Sequence, residues 1–180
     1  MKALVISGGG RKGAFAGGVA QHLIEEQKKN YDLFIGTSTG SLMITHLALG
    51  KVEELREIYS NVDQTTVFSS FPFRIKSFRG HQIVSINHRT TLRNFLRGGK
   101  TFGESYNLRN MIERRISDED LQQVLELKKK LLVTVSNLTL NQVEFKSLEE
   151  ESFSDFRDYI WGSSNFIPFM SLLTKNSFEY

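Results

Sequence analysis

Cysteine is missing altogether from this chain of 180 residues. Its absence excludes a disulfide scaffold, thiolate zinc sites and cysteine nucleophiles. Long apolar runs are missing too. The run Ala3 to Ile6 is too short for a signal peptide, and nothing approaches the roughly 18 apolar residues of a membrane-spanning helix. These absences predict a cytoplasmic protein whose contact with a membrane, if it makes one, is peripheral.

The overall composition is that of an ordinary globular protein. Hydrophobic residues make up 39% and aromatic residues 11% of the chain, which is enough to build a core and excludes wholesale disorder. The length predicts a single domain over residues 1–180. A net charge of +3 is mild, and the basic residues match no nucleic-acid recognition motif, so we expect no nucleic-acid partner.

A strand, a glycine turn and a helix follow one another twice within the first fifty residues. The apolar run 3–6 ends in glycines and precedes a helical spacing over 14–26. A second run, 31–35, ends at Gly36 and precedes an apolar helix over 41–49 that stops at Gly50. This order predicts an α/β fold with a parallel sheet, whose first strand is buried on both faces.

The rest of the chain gives further elements. We predict a helix over 51–60, a helix capped by Asp118 and running to Lys130, a strand over 131–136 with a hairpin partner at 143–146, and a helix from Ser154 to Trp161.

The first motif with chemical content is a glycine loop between the first strand and the first helix. It reads Gly8, Gly9, Gly10, Arg11, Lys12, Gly13. Glycines let backbone N–H groups face a ligand, and the following helix N-terminus adds positive potential. The loop therefore predicts a site for negative charge, which a dinucleotide, a phosphate or a developing oxyanion would all supply.

The second motif is Gly36-Thr37-Ser38-Thr39-Gly40, again at a strand-to-helix junction. A sharp turn of this kind projects the serine hydroxyl outward, and glycines on either side remove side chains that would clash. The amide after the serine and the helix N-terminus can stabilise nearby negative charge. The motif predicts a serine nucleophile at Ser38.

Other readings of the two motifs remain. The glycine loop satisfies the Rossmann pattern G-x-G-x-x-G, but that site needs an acidic residue at the end of the second strand, and Asp32 lies at its start. No Walker phosphate loop is present. Both glycine groups could also be tight turns without chemistry.

None of the four histidines, which are His22, His46, His81 and His88, is placed as a convincing base for Ser38. An α/β-hydrolase places an acid and then a histidine after its serine, and the second half of this chain has no histidine. His46 lies eight residues beyond Ser38 on the same predicted helix, about 12 Å along its axis. A carboxylate is therefore the preferred partner of the serine.

The stretch SGGGRKGAFAGG, followed by YDLFIGTSTGSL, resembles the start of the patatin-like phospholipases. The resemblance is specific over 3–50, is weaker over 51–130, and returns at 131–139 and at WGSSNFIP. It implies a three-layer α/β/α fold and a lipid acyl hydrolase acting through a Ser–Asp dyad on phospholipids or other acyl esters. It implies Ser38 as nucleophile and the amides of Gly9, Gly10 and Arg11 as the oxyanion hole, with Gly8, Gly13, Gly36 and Gly40 as motif glycines.

Two departures from the family's pattern stand out. Lys12 occupies a position where the family usually has arginine, which keeps the charge but loses the forked donor geometry. The family's aspartate lies in an Asp-Gly motif after a strand resembling residues 177–180, where this sequence ends. Either the expected motif follows Tyr180, outside these residues, or it has been lost. Asp63, Asp155 and Asp158 are expected to be caps or surface charges.

Residues 64–103 contain no aspartate or glutamate but seven lysines or arginines and six phenylalanines. We predict that this segment covers the active site or contacts a membrane. Arg74, Lys76 and Arg79 would meet anionic headgroups, and Phe71, Phe73 and Phe78 would enter the lipid interface. The alternative keeps these phenylalanines in the core, which is the expectation for Phe95 and Phe102.

No cluster of metal ligands is visible, so the sequence predicts no metal and no other cofactor. A second function remains open beside hydrolysis. The chain could be a non-catalytic module that binds lipid or a protein partner on a patatin-like scaffold, because a fold does not dictate its usual function.

Overall fold

The computed structural model describes residues 1–180. It contains eight helices: α1 Gly13–Gln21, α2 Ile44–Leu49, α3 Val52–Asn61, α4 Gln64–Val67, α5 His88–Leu96, α6 Tyr106–Arg115, α7 Asp118–Glu126 and α8 Phe153–Ser164. The eight strands are β1 Ala3–Ile6, β2 Leu33–Thr37, β3 Phe73–Phe78, β4 His81–Ile86, β5 Lys130–Asn137, β6 Gln142–Ser147, β7 Thr174–Lys175 and β8 Phe178–Glu179. Short 3-10 turns cover Gly10–Lys12 and Ser38–Gly40.

The central sheet has the strand order β1-β2-β5-β6. Strands β1, β2 and β5 are parallel, and β6 pairs antiparallel with β5. This mainly parallel sheet with its packed helices is the predicted α/β fold. In the register, Ile6 lies opposite Gly36. The glycine loop after β1 and the Ser38 turn after β2 therefore leave the sheet side by side at its carboxyl edge.

Apolar residues of the strands and helices form one core cluster of 25 buried residues that extends from Ile6 to Tyr180. Leu131, Val133 and Val135 alternate along β5, as expected for a strand with one face in the core. Helix α8 packs on β5 and brings Phe156 and Ile160 into the same core. This packing fixes the end of α8 next to the turn that holds Ser38.

Two details of the predicted elements are wrong. Strand β1 pairs only with β2, so it lies at the edge of the sheet, and Val5 is 66% exposed instead of buried. Helix α7 is capped by Ser117, whose side chain and that of Asp120 form a reciprocal capping box, and not by Asp118. The helix ends at Glu126, well before Lys130, which already belongs to β5.

The basic segment 64–103 forms α4, the antiparallel hairpin β3–β4, and α5. The hairpin is a separate two-stranded sheet, and its residues are almost all exposed. Phe71 and Phe73 are half-buried and pack edge-to-face on each other, with ring centroids 5.7 Å apart, whereas Phe78 is 60% exposed. Phe95, expected in the core, is 45% exposed.

Candidate active site

Ser38 lies in a strained turn directly after β2. Thr37 is still extended, whereas Ser38 has a φ of +52°, in the left-handed region. Such a conformation costs a residue with a side chain roughly 1–3 kcal/mol and is common where function requires it. The turn needs glycine on both sides, because a Cβ at Gly36 would lie 2.6 Å from the Cα of Ser41 and one at Gly40 would lie 2.2 Å from the carbonyl oxygen of Ile6.

The backbone of Ser38 is held by serines from the end of α8 and from its own turn. Its N–H donates to Oγ of Ser163 at 2.8 Å, and that hydroxyl donates to the carbonyl of Thr134 in β5 at 2.7 Å. The Ser38 carbonyl accepts from the hydroxyls of Ser41, at 2.6 Å, and Ser164, at 3.2 Å. These bonds tie the turn to the sheet and to α8.

The side chain of Ser38 is half-buried, and its hydroxyl makes no hydrogen bond to any protein group. Every polar contact of this residue is made by its backbone. The hydroxyl is therefore available to a substrate, as the sequence motif predicts for a serine at such a turn.

The glycine loop packs directly against this turn. A Cβ built on Gly8 would lie 2.8 Å from the Cβ of Ser38 and 3.5 Å from its Oγ. A Cβ on Gly13 would lie 2.9 Å from Oγ1 of Thr39. Only residues without side chains allow the two turns to approach this closely, so the sequence positions of these glycines follow from packing.

The loop presents backbone donors at the start of a helical turn. Gly10 has a φ of +54°, and the 3-10 turn Gly10–Lys12 continues into α1. The first N–H groups of a helical segment have no carbonyl one turn earlier to bond. The amides of Gly9, Gly10 and Arg11 are the ones in this position, and Gly9 and Gly10 are exposed.

A cavity of about 680 Å³ opens beside Ser38. Its walls come mainly from the turn and α2 on one side and from α3, α4 and α6 on the other. Most of the lining is apolar, and it includes Leu42, Ile58, Val62, Val67, Leu108, Met111 and Ile112. No aspartate or glutamate lines it, and its charged side chains are Arg11 and Arg115.

Burial shifts the pKa values of two titratable groups in the cavity wall. The hydroxyl of Tyr59 donates to the carbonyl of Thr39 at 2.9 Å, and burial raises the pKa of this phenol. Burial lowers the pKa of His46, whose Nε2 lies 3.9 Å from a carboxylate oxygen of Glu54. His46 is therefore neutral at pH 7, and it makes no hydrogen bond to Ser38.

The aspartates considered as substitute bases have other partners. Asp63 accepts from the N–H of Thr66 and caps α4. Asp155 pairs with Lys175, and Asp158 pairs with both Lys175, at 3.1 Å, and Arg109, at 2.7 Å. Asp63 is thus a cap, as expected, whereas Asp158, with its side chain only 13% exposed, is a largely buried ion-pair partner and not the surface charge that was expected.

Arg74, Lys76 and Arg79 lie on the exposed hairpin β3–β4 and do not line the cavity beside Ser38. None of the three forms an ion pair, and the guanidinium of Arg79 lies 5.3 Å from the ring centre of Phe78. Sequence reasoning missed Ser163 and Ser164, although both lie in the stretch WGSSNFIP that it singled out.

A family model described as "Patatin-like phospholipase" matches residues 4–178. The chain belongs to the patatin-like phospholipase family. A curated relative, "Uncharacterized protein L620" of Acanthamoeba polyphaga mimivirus, is 26% identical over 186 residues, covering 97% of this chain and 49% of that protein. The chain thus spans about half the length of the curated relative it matches.

No helix is both long and apolar enough to cross a bilayer. No group of three or more histidine, aspartate or glutamate side chains is arranged to hold a metal ion. In this patatin-like chain the two glycine turns lie against each other, since a Cβ built on Gly8 would lie 2.8 Å from the Cβ of Ser38.

Proposed function

We propose that the protein cleaves carboxylic esters of lipids, as a phospholipase A or lysophospholipase, with Ser38 as the nucleophile. One observation supports this most. The unbonded hydroxyl of Ser38 lies on a positive-φ turn, in contact with a glycine loop and beside an apolar cavity of about 680 Å³. The proposed nucleophile, the backbone amides that would stabilise an anion, and the space for an acyl chain thus lie next to one another.

In the first step, Oγ of Ser38 attacks the carbonyl carbon of the ester, and its proton passes to a general base. The carbonyl oxygen becomes an oxyanion. The N–H groups of Gly9, Gly10 and Arg11 would stabilise it, because preorganised donors aimed at developing charge lower the barrier most. The contact between Gly8 and Ser38 supports this assignment, since it holds the loop against the reacting oxygen.

In the second step, the bond between the carbonyl carbon and the ester oxygen breaks. The alcohol leaves with the proton that the base returns, and the acyl group stays on Ser38. A water molecule then gives a proton to the same base and attacks the acyl-enzyme. The fatty acid leaves, and the Ser38 hydroxyl regains its proton.

The base itself is proposed from the family resemblance. No carboxylate lines the cavity, and the family's aspartate follows a strand that resembles residues 177–180. In the structure, the carbonyl of Glu179 accepts from the N–H of Leu138, which directly follows β5, at 2.7 Å. Strand β8 thus lies beside the carboxyl end of β5, the edge of the sheet that also holds Ser38. We propose an aspartate as the base, as the family's Ser–Asp dyad implies.

The cavity fits the acyl chain of such a substrate. Burying apolar chain carbons against its walls releases water from both surfaces, at about 0.8 kcal/mol per methylene. Arg11 and Arg115 are the cations that could face a phosphate or a released carboxylate.

Contact with an anionic membrane is part of the proposal. Arg74, Lys76 and Arg79 are exposed, lack carboxylate partners and lie in a segment without acidic residues. Each basic residue near an anionic bilayer contributes about 1 kcal/mol. We accordingly propose a cytoplasmic protein that associates peripherally with membranes.

A fluorophosphonate probe tests the nucleophile. The probe phosphonylates an activated serine, so the parent chain should be labelled on the peptide that contains Ser38, and Ser38→Ala should lose the label. Ser154→Ala is the matched control, because Ser154 is exposed and its hydroxyl makes no hydrogen bond. Intact-protein and peptide mass spectrometry measure the adduct.

Equal labelling of Ser38→Ala and the parent would contradict the assignment. A chain that includes the proposed aspartate, binds lipid vesicles and is never labelled would instead favour the non-catalytic lipid-binding module. Loss of labelling in Ser154→Ala would show that the label depends on correct folding and not on the nucleophile alone. Urea unfolding of each variant therefore checks that it is folded.

A further inference from the structure

Helix α5 has its apolar side turned away from the protein. Leu92 is 60% exposed, Leu96 is 79% exposed, and Phe95 between them is 45% exposed. These three residues are spaced so that they share one face of the helix. A surface helix of a globular protein normally turns such a face toward the core.

The side of α5 that faces the protein is polar. Asn94 is buried, and its side chain accepts from the hydroxyl of Ser70 and donates to the carbonyl of Phe102, both at 3.2 Å. Thr90 and Thr91, on the same side, are half-buried. The helix is thus anchored by hydrogen bonds, and Leu92 and Leu96 on its apolar face remain mainly exposed.

The surroundings of this face are positively charged. Arg89, Arg93 and Arg97 lie on or directly after α5, and none of them forms an ion pair. The hairpin that precedes α5 adds three more unpaired basic residues, and residues 64–103 contain no acidic residue to offset them. An apolar face flanked by arginines complements an anionic lipid surface, where acyl chains lie beneath negative headgroups.

A row of aromatic rings connects α5 with the cavity beside Ser38. Phe95 contacts Phe102 with ring centroids 6.1 Å apart, and Phe102 contacts Phe169 at 5.5 Å. Phe169 stacks on Phe166 at 5.8 Å, and Phe166 lines the cavity. Apolar surface is therefore continuous from the exposed face of α5 to the place where a lipid ester would react.

We propose that α5 is the element that inserts into the membrane: Leu92, Phe95 and Leu96 enter the interface of an anionic bilayer, and Arg89 and Arg93 contact its headgroups. The aromatic row then extends from the bilayer to the cavity and guides an acyl chain to Ser38. The delivery of an acyl chain to Ser38 rests on the proposed function, but the binding of α5 to the bilayer does not depend on catalysis.

Sedimentation with vesicles tests the binding. The vesicles are made of ether-linked phosphatidylcholine, with or without ether-linked phosphatidylserine, so that ester hydrolysis cannot alter them. The parent should sediment with the serine-containing vesicles. Leu92→Gln/Leu96→Gln should reduce its partition coefficient about tenfold or more, since each leucine loses much of its transfer to an apolar phase.

Arg89→Gln/Arg93→Gln should reduce partitioning to the anionic vesicles about 30-fold and leave partitioning to the neutral ones unchanged. The matched control is Leu138→Gln/Leu140→Gln, because these two leucines are similarly exposed, at 47% and 50%, but lie on the turn between β5 and β6. It should sediment like the parent.

Because the chain contains no cysteine, a single introduced cysteine can carry a dye that reports insertion into the bilayer. An environment-sensitive fluorophore on Leu96→Cys should shift its emission to the blue with anionic vesicles, whereas the same dye on Leu138→Cys should not.

Three results would overturn the inference: equal sedimentation of the parent with both vesicles, unchanged sedimentation of Leu92→Gln/Leu96→Gln, or a dimer of the parent that this variant converts to a monomer. The last result would identify a second copy of the chain as the occupant. Failure of the proposed function has a different signature, because it appears as missing fluorophosphonate labelling at Ser38 while vesicle binding persists.

Discussion

The two glycine turns are tightly packed, whereas the segment from β3 to α5 is largely exposed. In the turns, Gly8, Gly13 and Gly40 are held so closely that an added methyl group would meet a neighbouring atom at 2.9 Å or less. In the segment from β3 to α5, side chains such as Leu96 are exposed and the arginines lack partners. The first region is close-packed within the chain, whereas the second exposes apolar and basic side chains.

This difference shows how stability and function are divided in the molecule. A close-packed region tolerates almost no change of volume. An exposed region tolerates substitution without loss of folding, so any effect of a mutation there reports on binding. Stability measurements can therefore separate the two regions.

Gly40→Ala should have the largest effect. Its Cβ would lie 2.2 Å from the carbonyl oxygen of Ile6, a backbone atom that cannot move without displacing β1. We expect a loss of about 3 kcal/mol or more in the free energy of unfolding, measured by urea denaturation. Gly18→Ala is the control: no atom lies within 4 Å of its Cβ, and alanine should stabilise α1 by up to about 1 kcal/mol. Equal stability of the two variants would contradict the packing account.

Ser163→Ala should have an intermediate effect. The substitution removes the acceptor for the Ser38 N–H and the donor to Thr134. Loss of these bonds should cost about 1–3 kcal/mol of unfolding free energy. Ser163 positions the turn that holds Ser38 but does not touch the substrate. Without it the turn is less well held, so fluorophosphonate labelling of the folded variant should also slow. Ser154→Ala, on the same helix, should change neither quantity, and a normal labelling rate in Ser163→Ala would refute the positioning role.

Leu92→Gln/Leu96→Gln should have the smallest effect on stability. Both side chains are already exposed, so the free energy of unfolding should stay within about 0.5 kcal/mol of the parent. Urea denaturation measures it without lipid. A loss as large as that of Gly40→Ala would mean that these leucines pack within the folded chain, and the contrast between the two regions would disappear.

Much of the first region could be predicted from the sequence. The apolar runs before Gly8 and Gly36 predict parallel strands, and the carboxyl ends of neighbouring parallel strands meet at one edge of a sheet. The turn at Ser38 and the helix end at Gly50, which has a φ of +71°, follow from local glycine chemistry. The cap of α7 was misplaced by one residue because Ser117 and Asp118 both suit a cap by residue type.

The roles that depend on long-range packing could not be predicted. Ser163 reaches Ser38 across 125 positions of sequence, and only the docking of α8 on β5 reveals it. The apolar run 3–6 does not show that β1 is an edge strand. Phe95 was expected in the core but is 45% exposed, because residue type alone does not show which side of the chain faces inward.

The central claim is that the glycine loop and the Ser38 hydroxyl jointly hold a reacting carbonyl. A crystal structure of the phosphonylated protein tests it most directly, because the phosphonyl oxygen imitates the oxyanion. The account predicts an adduct on Oγ of Ser38, with that oxygen about 2.7–3.1 Å from backbone nitrogens among Gly9, Gly10 and Arg11. A phosphonyl oxygen that points to solvent, away from all three amides, would contradict it.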